Sequence, residues 1–169
     1  MSQCSCSDQK SQDIALANTL IERANNCLNH EHRSLAEALL AAARQLILIS
    51  TGDIRGEAAV WLLTTEGHLP LLDEDFRSSL WTFEEALRVA EEDLEPDHFA
   101  IGICLLNIAQ TNLKLGFADD AIPEFERSRQ IIESALKSQI RPELTQYFAG
   151  VLSMIEIELA CAISRAEEA

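Results

Sequence analysis

From Asp13 onward, apolar residues recur every three or four positions almost without a break, the spacing that lines one face of an α-helix. Ile14, Ala17, Leu20, Ile21, Ala24 and Leu28 fall on one stripe, and Leu35, Ala38, Leu39, Ala42, Leu46 and Ile49 on a second. The polar run Asn29-His30-Glu31-His32 predicts a short turn between them, with Ser34 as N-cap of the second helix. Gly52 suits a left-handed stop, and Asp53 is placed to cap a third helix through Ala58, Val60, Trp61, Leu62 and Leu63. Gly67 and Pro70 either end that helix near Glu66 or kink it toward Leu72. Asp73-Glu74-Asp75 gives a fourth helix, over residues 76–94, an acidic start that the helix dipole favours.

Glu95-Pro96-Asp97 breaks the chain, and a fifth helix is predicted over residues 98–115, ended by Gly116. A sixth covers residues 119–137, with Pro123 expected in its first turn, where its missing N–H costs nothing. A seventh is predicted to start at Pro142 and to carry Phe148, Val151, Leu152, Ile155, Leu159 and Ile163. No segment alternates with period two and the joins are short, so consecutive helices are expected to be antiparallel neighbours. Residues 1–10 lack apolar periodicity and read as a disordered tail, leaving residues 11–169 as a single α-helical domain.

Composition agrees with packed helices: 47% of residues are apolar but only 5% aromatic, with Ala, Leu and Ile dominant. Charge narrows the partners. With 28 acidic and 13 basic side chains the chain carries −15, so nucleic acid and anionic membrane surfaces would repel it at long range. The N-terminus has neither a basic region nor an apolar one, and no stretch of 18 residues is uninterruptedly apolar, which together predict a cytoplasmic protein. Five scattered cysteines argue against a disulfide framework, and Cys27, Cys104 and Cys161 read as small core residues.

A repeat is visible within this pattern. Phe83-Glu84-Glu85-Ala86-Leu87-Arg88-Val89 returns 42 residues later as Phe125-Glu126-Arg127-Ser128-Arg129-Gln130-Ile131, with Phe on Phe, Glu on Glu, Ala on the equally small Ser and Val on Ile. A helical hairpin with two apolar faces must stack on another copy to bury both. Leu105-Leu106-Asn107-Ile108-Ala109, followed by Gly116, Asp119-Asp120-Ala121, Pro123, Phe125 and Ile131, resembles a tetratricopeptide repeat of the long, kinesin-light-chain type. The preceding run from Glu84 through Pro96-Asp97-His98 resembles the second helix and connection of that type. The resemblance covers about a third of the chain. It implies antiparallel hairpins, about seven helices in all, stacked as a short right-handed superhelix. Asn112 and Ala118 depart from it, standing where the family has large aromatics.

In that family, peptides bind in the concave groove lined by the first helix of each hairpin, often through Asn side chains. The resemblance puts Leu106, Asn107, Gln110 and Lys114 on that face. Their spacing agrees with one stripe. Cys4-Ser5-Cys6 and His30-Glu31-His32 each fall short of the four ligands a structural zinc takes, so no metal or cofactor is expected. There is no Gly-rich phosphate loop, no H-E-x-x-H and no locally marked nucleophile. The carboxylates Glu84, Glu85, Glu91, Glu92 and Asp93, with Arg88 at helical spacing, read as a solvated face. The expected function is a non-enzymatic adaptor, scaffold or chaperone binding a peptide segment or helix of another protein, its oligomeric state open, a homodimer included. Two alternatives come from other classes: a regulatory helical protein that binds a small ligand or mimics nucleic acid, and a small acidic secretion-type chaperone.

Overall fold

A computed structural model describes residues 4–30, 32–138 and 144–167, and among them every element is a helix. The order is α1 (Cys4–Asn29), α2 (Arg33–Thr51), α3 (Gly56–Leu71), α4 (Phe76–Asp93), α5 (Phe99–Leu115), α6 (Ala118–Ser138) and α7 (Thr145–Glu167). Three consecutive pairs, α1/α2, α3/α4 and α5/α6, pack as hairpins, and α7 lies against α5 and α6. The backbones of the odd-numbered helices approach one another, α1 on α3, α3 on α5 and α5 on α7, whereas among the described residues those of α2, α4 and α6 do not, and α4 and α6 are joined through the Arg127–Glu91 pair. The stack therefore has two layers, closed on the odd-numbered side and splayed on the even-numbered one. The odd-numbered helices form the inner layer.

Small residues set the spacing. In α3, a β-carbon at Gly67 would fall 2.4 Å from the ring of Phe83, so the fully buried Phe83 of α4 occupies the space a side chain would need. In the next hairpin Phe125, Ala109 and Ala121 are likewise fully buried, and α4 and α6 start at Phe76 and Ala118, the same 42 residues apart. Within α5/α6 the axes approach closely at Gly102, whose carbonyl accepts a 2.7 Å hydrogen bond from the buried Ser128 hydroxyl. Gly116 ends α5 with φ of 87° and Gly52 ends α2 with φ of 82°, left-handed conformations that glycine adopts without a Cβ penalty.

Several local features differ from the sequence reading. Helix α1 begins at Cys4, inside the stretch read as a tail: nothing from Cys4 to Gln12 breaks a helix already held by Ala17, Ile21 and Ala24. In α2 the buried stripe is Ala36, Leu40, Ala43 and Ile47, one position on from the predicted one, and Leu35 and Ile49 face solvent. Helix α2 is apolar on both sides, and the stripe it buries puts Ala36 and Ala43 in one core with Ala17 and Ala24, where small side chains allow close axes. Neither expected cap forms. His32 precedes α2 without a side-chain bond, so Ser34 lies inside the helix, and the Asp53 carboxylate accepts from the N–H of Ile54 rather than from the first turn of α3. The first N–H of α3, on Gly56, is instead accepted by Asp93 at 2.7 Å, a cap supplied from the end of α4. Helix α3 continues through Gly67 and Pro70 to Leu71. Pro123 lies beyond the first turn of α6, where the Asp119 carbonyl loses its intrahelical donor. Pro142 falls outside the described residues.

His68 sits one residue beyond Gly67, edge-on to Phe83 at 5.2 Å, its Nδ1 donating to the Thr64 carbonyl at 2.7 Å. Burial lowers its pKa below the usual 6.5, while the hydrogen bond opposes that shift. The unfolded chain then binds a proton that the folded one refuses, so this contribution is present above pH 6.5 and is lost as pH falls below it. His68→Gln should flatten the part of the stability loss between pH 7.5 and 5.5 that the parent shows in urea titrations. An identical pH slope in both proteins would place the titration elsewhere. Gly67→Ala should lower the unfolding free energy measured in urea by roughly 1–3 kcal/mol, because the Phe83 ring it meets is fully buried. Gly102→Ala meets Ile132 at 3.0 and 3.1 Å and Ile131 at 3.3 Å, milder contacts than at Gly67, and should cost less than Gly67→Ala because the gain in helix propensity offsets part of the crowding.

Candidate functional site

Helix α5 is the centre of the stack, touched by α3, α4, α6 and α7, and nearly all of its residues are buried. Of the four residues expected on the concave face, Leu106 is 3% exposed and packs in one core with Phe125, Phe148, Val151 and Ile155. Asn107 is 9% exposed, and its carbonyl accepts from the Thr111 hydroxyl at 2.7 Å. Neither is open to a partner. Helix spacing places four residues on a stripe without showing how far the neighbouring helices close over it, and α7 closes over Leu106.

Gln110 and Lys114 do reach the surface, and both line an open cleft of about 480 Å³ between α5 and α7. Helix α7 contributes Ile157, Glu158, Cys161 and Arg165 to it. Gln110 donates to Glu158 at 2.9 Å, pinning α7 to α5, and Arg165 donates at 3.3 Å to the Leu113 carbonyl, which also accepts from the Gly116 N–H that caps α5. The Lys114 ammonium lies 5.6 Å from the centre of the Phe76 ring. Among the described residues neither Lys114 nor Arg165 has an ion pair. The site thus offers two positive groups beside the well-exposed Ile157, in a chain of −15.

The residues of α7 were missed by the sequence reading, although their signal is present. Tyr147, Gly150, Met154, Ile157 and Cys161 form a second stripe at alternating spacings of three and four, on the side of α7 opposite its buried Phe148, Val151, Ile155 and Leu159. Tyr147, Met154 and Ile157 are exposed. With two apolar stripes, α7 is long and apolar enough to cross a membrane by composition alone, as is α2, yet each packs one face into the core. A second inner-layer cleft of about 390 Å³ lies between α1 and α3, lined by Asn18, Asn25, Trp61 and Thr65 among others.

Thiol chemistry finds no foothold in the core: burial, only partly opposed by a hydrogen bond with Thr64, pushes the Cys104 thiol up to about 12, so it is protonated at neutral pH. Cys27 is half-buried and Cys161 is exposed, which corrects its reading as a core residue. The side chains of Cys4 and Cys6 lie outside those described.

No protein-family model matches the chain, and no curated protein sequence matches it.

Leu106→Ala should cost about 2–5 kcal/mol of stability by opening a cavity between α5 and α7. Asn107→Ala should also lower the melting temperature. If both variants melt with the parent, these side chains are not part of the packed core.

Proposed function

We propose that the chain is a non-enzymatic helical-repeat interaction module, of the long tetratricopeptide type, that binds a peptide segment or helix of another protein along its inner layer. The observation that carries the reading is the α5–α7 cleft, where Lys114 and Arg165, without ion pairs among the described residues, stand beside exposed Ile157. An apolar contact flanked by unpaired cations suits a segment with an apolar side chain and a carboxylate, either an acidic residue or a C-terminus. The family resemblance supports the same layer as the binding face. Work as an adaptor, scaffold or chaperone in the cytoplasm follows from this reading and agrees with the unpaired Cys27, Cys104 and Cys161.

Affinity purification followed by mass spectrometry supplies the partner, and calorimetry then compares variants. Lys114→Ala removes a charge-assisted contact and should weaken binding about tenfold or more, with the melting temperature unchanged. Ile157→Asp should abolish binding at the same stability. Undiminished affinity in both variants would sink the cleft as the site.

A further inference from the structure

Because α2 and α4 do not meet, the outer layer opens into a cleft of about 590 Å³ whose floor includes Leu63 and Val89. Trp81 stands at this cleft with 69% of its surface exposed, more than any other aromatic residue among those described. Three arginines reach the same cleft, and each is already held: Arg44 by Glu66, Arg55 by Asp93 at 2.8 Å, and Arg88 by Glu85 at 2.6 Å and Glu92 at 2.7 Å. None of them is free for an anion. The carboxylates, joined by Asp53, outnumber the guanidinium groups five to three, and a carboxylate has lone pairs to spare after one or two such bonds.

An indole in water beside surplus carboxylates matches one kind of group, a cation with an apolar stem. We infer that the α2–α4 cleft is a second binding surface, taking a basic segment of a partner protein, one of whose Arg or Lys side chains lies over Trp81 and bonds to Glu85 while another, about 16 Å along α4 from Trp81, reaches Glu92. The −15 charge draws such a segment in from a distance, and the indole fixes where it stops. This surface lies on the outer layer and does not depend on the α5–α7 cleft.

The probe is a capped hexa-arginine peptide, titrated into the full chain at low ionic strength by calorimetry, with tryptophan emission recorded in parallel. Saturable binding that alters the emission is expected. Trp81→Ala should weaken it at least about threefold, and Trp81→Phe, which keeps an aromatic face, by less. Glu85→Gln with Glu92→Gln should weaken it more than Asp120→Asn with Glu126→Gln, which remove the same charge from α6. Equal losses in the two double variants would overturn the inference in favour of diffuse attraction. So would unchanged affinity in Trp81→Ala at parental stability, absence of hexa-arginine binding, or binding of hexaglutamate in its place.

Discussion

The fold depends on how closely two helices of a hairpin approach, and that distance is set where an aromatic ring meets a small residue. Phe83 fills the space left by Gly67, and the third hairpin buries Phe125 together with Ala109 and Ala121. Interior packing is dense enough that one extra carbon at such a point displaces the whole element. With the hairpins drawn tight, α5 becomes a helix buried on nearly all sides, and this decides which of its residues remain available. Leu106 and Asn107 are absorbed into the core, while Gln110 and Lys114, a turn or two further on, emerge where α5 runs out from under its neighbours.

The seven helices were legible because Gly52, Gly116 and the Glu95-Pro96-Asp97 break punctuate a long apolar periodicity, each with a local chemical reason. What the sequence left open lay where a helix offers more than one answer. Helix α2 carries apolar residues on both sides, so periodicity alone does not choose between the Leu35 stripe and the Leu40 stripe; the partner helix chooses. The cap on α3 was illegible because its acceptor, Asp93, is 37 residues away from Gly56. The candidate site was half legible for a related reason. Its α5 half follows from the repeat motif, but Ile157 and Arg165 belong to a helix outside the motif, and only assembly of the stack brings them together.

The two layers divide the charged side chains differently. On the outer side Arg44, Arg55 and Arg88 are locked in pairs with Glu66, Asp93, Glu85 and Glu92, and Arg127 of α6 reaches Glu91 of α4 at 2.7 Å. On the inner side Lys114 and Arg165 have no such partners among the described residues. A chain with more than twice as many acidic as basic residues thus keeps two of its few unneutralised cations for one cleft, and covers its outer face with carboxylates that its arginines do not balance.

The unequal closure of the layers also has a mechanical side. The inner helices are joined by packed side chains, which resist separation, whereas α4 and α6 are bridged across their gap by the exposed Arg127–Glu91 pair, worth about 0–1 kcal/mol in water. Bending that spreads or narrows the outer gaps meets little resistance, while stretching the inner layer meets a great deal. The molecule is accordingly a leaf spring, stiff along one surface and compliant along the other. Salt screens the Arg127–Glu91 pair, the one ion pair that links two outer helices among the described residues, and leaves the apolar contacts of the inner layer in place.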